Sequence, residues 1–292
     1  MSKVDRYFDK LMGEYYKVLI NSWNESVQES ARFAIKSLVS LRDGQRADEQ
    51  FVKDLEYVLR QQLGDEFASA LDSKVKTFTE MTYRLSSQEG QFQNIGVKLS
   101  FTPTDMRNIE MIKKQQVFWL REHYNTSVSE KLQNVLTQSI EQNMTKRELA
   151  SSLQQEFSNV MQGGKHYFAG LAEHTSLRVR EFARLNNYKK CGATHYKIVA
   201  ILDDKTSDIC RALHGKIFPL KTAMDTMDAM LDMPEHVKPE DAKAELKRLA
   251  PFVRDDQVEY DADGVPFGVS GTHTPFPPFH WRCRTITVMV YD

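Results

Sequence analysis

Apolar residues recur every three or four positions through most of the first 160 residues. Phe51, Leu55, Val58, Leu59 and Leu63 keep that spacing. So do Phe67, Leu71, Val75, Phe78 and Leu85, and further on Val128, Leu132, Val135, Leu136 and Ile140. Each run puts its large side chains on one face of a 3.6-residue period, so the spacing predicts amphipathic helices whose stripes form core. Thr145-Lys146-Arg147-Glu148 has the T-x-x-E form of a capping box and predicts a helix start, with Leu149, Leu153 and Phe157 on the apolar face. Pro103-Thr104-Asp105 predicts another, running through Ile109, Ile112, Phe118 and Leu120. No repeat period emerges.

Beyond residue 160 the pattern changes. Gly163-Gly164 interrupts the helical spacing and is the expected domain boundary. A helix is expected from about 166 to 190, ended by Gly192 as its C′ residue. Tyr196 to Leu202 is β-branched and aromatic, and Thr285 to Val290 repeats that character near the C-terminus, so both predict strands. Between them, residues 239–250 predict a short helix stopped by Pro251, and residues 255–278, rich in Asp, Gly and Pro, predict a loop. The expected class is α+β: a helical region over 1–162, then a module over 165–292 with a two- or three-stranded antiparallel sheet.

Composition sets bounds on function. The chain has 292 residues, 41% hydrophobic and 27% charged, which is globular rather than disordered. No apolar run approaches the roughly 20 residues that span a bilayer. The charged start Met1-Ser2-Lys3-Val4-Asp5-Arg6 lacks the apolar core of a signal peptide. Three cysteines are too few, and odd in number, for a secreted disulfide framework, so a reducing cytoplasm is expected. Charge is uneven: residues 219–275 carry six basic against twelve acidic residues, which reads as a solvated acidic insertion. Arg178, Arg180, Arg184, Lys189 and Lys190 form a basic strip, read as a wet face or as a contact for DNA phosphates or an acidic partner.

Two motifs carry ligand-type residues. Asp203-Asp204-Lys205-Thr206-Ser207-Asp208-Ile209-Cys210 leads to His214 and Gly215, and Pro277-Pro278-Phe279-His280-Trp281-Arg282-Cys283-Arg284 follows much later. Cys210 with His214, and His280 with Cys283, have spacings at which two soft ligands can reach one ion, and tetrahedral zinc accepts two sulfurs and two nitrogens. One strand leads into the first motif and the other leads out of the second, so antiparallel pairing would set the motifs side by side. Structural zinc on Cys210, His214, His280 and Cys283 is one reading, with Asp203 or Asp204 as alternative fourth ligand. A close thiol pair or a disulfide is the other. Asp203 also suits a turn cap ahead of Thr206. Cys191, beside Gly192, is expected as a small buried residue. No glycine-rich oxyanion loop flanks Cys210, and no P-loop, dinucleotide fingerprint or H-E-x-x-H occurs, so no catalytic residues are assigned.

The same residues carry a resemblance. D-D-x-T-S-x-x-C-x-x-L-H-G-K followed by P-P-x-H-x-x-C-R is similar to the C-terminal signature of the phage head morphogenesis proteins, the minor head proteins like protein F of phage Mu and its counterpart in phage SPP1. Thr175, Arg178, Arg180, Asn186, Gly192 and the strand from Tyr196 fit the pattern ahead of it, and Ser176 stands where an acid often occurs. The resemblance implies motif roles for Asp203, Thr206, Gly215, Pro278 and Arg284. It implies a non-enzymatic minor head protein acting in procapsid assembly at the portal vertex, first in the host bacterial cytoplasm and then inside the virion. Portal and scaffold proteins are the implied partners, with duplex DNA as a further one and no membrane or small-molecule substrate. Two other readings stay open. One is the delivery module of a phage-encoded polymorphic toxin, which the nine residues after Cys283 do not lead us to expect. The other is a host zinc-binding interaction module.

Overall fold

A computed structural model of the chain describes residues 3–40, 48–93, 99–142, 144–232 and 239–290. Ten helices are described: α1 (Lys3–Ser40), α2 (Glu49–Tyr57), α3 (Gly64–Ser86), α4 (Gly90–Gln93), α5 (Pro103–Tyr124), α6 (Lys131–Glu141), α7 (Lys146–Lys190), α8 (Asp208–Leu213), α9 (Leu220–Leu231) and α10 (Pro239–Leu249). The strands are β1 (His195–Val199), β2 (Ile217–Pro219), β3 (Val258–Tyr260), β4 (Pro266–Val269) and β5 (Ile286–Val290). Helices followed by small antiparallel sheets make the chain α+β. No described helix is long and apolar enough to cross a membrane.

Two compact units are built from this order. One comprises Glu14–Val75 and Gln115–Ala169. Its described elements are all helices, and π-helical segments at Val58–Leu63 and Asn125–Glu130 carry α2 into α3 and α5 into α6 without a break. The predicted stripes form its core: Leu55, Leu59, Phe67, Leu71, Val128, Leu132, Leu136, Leu149 and Leu153 are all buried, whereas Ile140 is exposed. Trp23 packs edge-on against Phe67 and Tyr124 at its centre. The capping box forms as expected, with Thr145 N–H donating to Glu148 Oε2 at 2.8 Å and Glu148 N–H to Thr145 Oγ1 at 3.3 Å.

The expected break at Gly163-Gly164 is absent, because α7 runs through both glycines. Gly164 has a different purpose there. A Cβ at that position would collide with the Trp23 indole, so the missing side chain admits a large aromatic against the helix. Gly163 has nothing within 4 Å and simply tolerates the helix.

The other unit comprises Met1–Gly13, Lys76–Lys114 and Gly170–Asp292. Its sheet has the order β2-β1-β5, antiparallel throughout. His195 pairs with Val290 and Val199 with Ile286, so the chain leaves β1 at the same end from which it enters β5. Tyr196 and Ile198 on β1, with Thr287 and Met289 on β5, are buried, and the three apolar ones share one core with Val179, Phe182 and Leu185 of α7. The outer edge of β5 is covered by side chains: Thr287 N–H donates to Glu181 Oε2 and Met289 N–H to Gln91 Oε1, both at 3.2 Å.

Two further expectations need correction. Residues 219–275 are not simply a solvated insertion, since α9 buries Leu220, Ala223, Met224, Met227, Met230 and Leu231. The acidic and basic residues Lys221, Asp225 and Asp232 take its outer face. Nor are residues 255–278 all loop. β3 and β4 form a hairpin whose turn is held by Asp261, which accepts from the N–H groups of Asp263 and Val265, while Gly264 supplies a φ of +75°.

Candidate functional site

The two motifs meet where β1 ends and β5 begins. After β1 the chain turns through Asp203–Thr206: Asp203 Oδ1 accepts from Lys205 N–H at 3.0 Å, and Asp203 N–H donates to Thr206 Oγ1 at 2.8 Å. Thr206 also donates to the Ile201 carbonyl. Ser207 then caps α8, accepting from Cys210 N–H at 3.3 Å. That cap fixes Cys210 in the first turn of the helix, where it is buried. α8 ends at a turn in which Gly215, at φ +79°, donates to the Ile198 carbonyl and returns the chain to pair beside β1.

The second motif arrives from a buried segment. Tyr196 Oη donates to the Pro275 carbonyl at 2.5 Å, and Phe276, Pro278 and Phe279 are buried. Arg282 adopts φ +59°, a left-handed conformation uncommon for a residue with a side chain. The bend separates Trp281, which packs outward, from Cys283, which turns inward. Trp281 lies over Gly170 of α7, where a Cβ would come within 2.7 Å of the indole, and stacks on His174 at 5.3 Å between ring centres. This docking was not apparent from the sequence, because nothing local to Gly170 marks a partner more than a hundred residues away.

Cys210, His280 and Cys283 therefore come together, with candidate ligand atoms all within 4.8 Å of one another. The Cys210 and Cys283 sulfurs lie 3.7 Å apart, and Cys210 Sγ lies 3.1 Å from His280 Nε2. His280 Nδ1–H donates to the Trp281 carbonyl at 2.9 Å, which leaves Nε2 facing the sulfurs and the Ser207 hydroxyl, 2.9 Å away. Protonation in the cluster is asymmetric. The hydrogen bond with Cys283, helped by His280, holds the Cys210 thiol well below its ordinary range against the opposing effect of burial. The same contact with Cys210 pushes the Cys283 thiol up, and contact with Cys210 raises His280. All three cysteines are free thiols.

His214 and the two aspartates lie outside this group. His214 is exposed, and its Nδ1 accepts from Ala200 N–H at 3.1 Å. Asp203 is held by Arg284 in a two-pronged ion pair at 2.8 and 2.5 Å, and that guanidinium keeps its carboxyl well below the usual range. Asp204 is exposed. Arg284 thus ties the second motif to the first at the surface, while the cysteines and His280 tie them beneath it. Cys191 is half-buried and packs at the edge of the core, away from the cluster.

The basic strip is not a free basic face. Arg184 is 1% exposed and bonds Glu89 at 2.7 Å and the buried Glu181. Arg180 reaches Glu89 at 2.7 Å and Asp5 at 2.8 Å, and Lys190 reaches Asp105 at 2.6 Å. Burial pulls Arg178 down to about 10, and its Nη1 donates to Met230 Sδ at 3.8 Å. Lys189 alone of the five is exposed. Sequence order could not reveal this, since Glu89 sits 95 positions from Arg184.

The family comparison covers both motifs. No curated protein and no solved structure matches the chain. Residues 130–288, more than half of the 292 and spanning α7, both motifs and most of the sheet, match the family described as Phage Mu protein F like protein, and the chain belongs to that family.

Proposed function

We propose that this protein is a minor head protein of a tailed phage or prophage, acting in procapsid assembly at the portal vertex by binding other proteins and not by catalysis. Membership of the Mu F-like family over residues 130–288 carries the reading. The motif chemistry supports the non-enzymatic part. Asp203 and Arg284 engage each other, His214 engages backbone, and Cys210, His280 and Cys283 converge on one point between two elements. The Asp203–Arg284 pair and the Cys210–His280–Cys283 group each hold one motif against the other. In a catalytic triad a third side chain orients the base, whereas here His280 Nδ1–H donates to a backbone carbonyl.

Portal association is tested by co-expressing the chain with the portal protein of the same phage genome and separating the complexes by size. The expected result is a stable complex that forms equally well when Lys189 is changed to Ala. Reproducible turnover of nucleic acid, nucleotide or peptide, lost in Cys210→Ala while the helical content is kept, would overturn the non-enzymatic reading.

A further inference from the structure

We propose that Cys210, His280 and Cys283 bind one zinc ion, which ties the first turn of α8 to the segment leading into β5. Three observations carry this. The two sulfurs lie 3.7 Å apart, and two thiolates on one tetrahedral zinc at about 2.3 Å each stand about 3.8 Å apart. His280 is oriented as ligating histidines are, its Nδ1–H given to the Trp281 carbonyl and its Nε2 turned to the sulfurs. Each ligand sits on a locally fixed backbone: Cys210 behind the Ser207 cap, and His280 and Cys283 on either side of the Arg282 bend.

The donor set decides the ion. Two sulfurs and one imidazole suit zinc and other soft or borderline divalent metals, whereas magnesium and calcium require oxygen ligands. Binding releases to solvent the protons that the two sulfurs and His280 Nε2 hold, and changes no oxidation state. Within the described residues the protein supplies three ligands, since His214 and Asp203 are hydrogen-bonded elsewhere. A water takes the fourth position. This proposal stands apart from the portal reading, because a chain with no portal partner would still bind the ion.

The test uses cobalt(II) as an optical probe on the full chain, purified without a His-tag, stripped with chelator and kept reduced. One cobalt per chain is expected, with a thiolate-to-cobalt charge-transfer band and the visible bands of a tetrahedral site, displaced by zinc. Cys210→Ser, Cys283→Ser and His280→Ala should each weaken binding at least about tenfold. Cys191→Ser and His214→Ala should leave the spectrum unchanged. His280→Cys keeps a ligand in place, so it should retain the bands with added thiolate intensity and shows that a weakened site is not merely a misfolded one. A folded parent chain with no cobalt band, or a band that survives Cys283→Ser, would overturn the proposal.

Discussion

The sulfurs of Cys210 and Cys283 lie 3.7 Å apart although the residues stand 73 positions apart in the chain. A tie across that span removes entropy from the unfolded chain, nominally about 4 kcal/mol for a covalent link and less for a softer one. Each single change to Ser is therefore expected to lower the melting temperature and expose the sheet module to protease before the all-helical unit. The double variant should cost little more than either single one, because both remove the same tie. Thermal melts with limited proteolysis measure this. Additive losses would mean that the two side chains act separately.

Three glycines of α7 should respond differently to alanine. Gly163 has open space around it, so Gly163→Ala should stabilise by up to about 1 kcal/mol through helix propensity. Gly164 is closed by the Trp23 indole and Gly170 by the Trp281 indole. Alanine at either should cost about 1–3 kcal/mol by overpacking. Denaturant unfolding of the three variants gives the ranking directly. A destabilising Gly163→Ala would contradict the continuous helix.

His123 is expected to make the protein acid-sensitive. Its ring stacks on Tyr167 at 3.4 Å between centres, and burial, with Lys131 adding to it, pulls it down to about 4. Near neutral pH the ring is uncharged in both states. Between about 6.5 and its folded value the unfolded chain takes up a proton that the folded chain refuses, so stability falls as pH drops, by up to about 1.4 kcal/mol per pH unit. Urea unfolding of His123→Phe should show a shallower fall over that window than the parent. Identical slopes would show that His123 is protonated in the fold.

Arg184 and Lys189 separate a buried charge from a solvated one on the same helix. Arg184→Met leaves Glu181 and Glu89 buried without their shared cation, at a cost of about 3–5 kcal/mol. Lys189→Ala should stay within about 0.5 kcal/mol. Equal melting temperatures for the two variants would restore the wet-face reading of the strip.

Much of this was legible in the sequence wherever the controlling interaction is local or the pattern long. The helical stripes, the Thr145–Glu148 cap and the two strands follow from spacing and side-chain type. From the strands came the meeting of Cys210 with His280 and Cys283. Features that depend on distant partners were hidden. Gly164 and Gly170 resemble breakers until Trp23 and Trp281 are placed on them. Arg184 resembles a surface charge until Glu89 arrives from another helix. His214 has the right spacing to Cys210 for a ligand, yet the turn at Gly215 leaves it at the surface, hydrogen-bonded to the end of β1. The hairpin has a local signal in the turn dipeptide Asp263-Gly264, which loop composition alone does not separate from an irregular segment.

Under the proposed function this chain is a component of assembling phage heads. The most direct measurement is the protein content of procapsids sedimented from host cells producing the phage, quantified by mass spectrometry. The expected result is the chain in low copy together with the portal protein, and its depletion from particles when Cys283 is changed to Ser. Procapsids that contain portal protein but none of this chain, with all of it left in the soluble fraction, would contradict it.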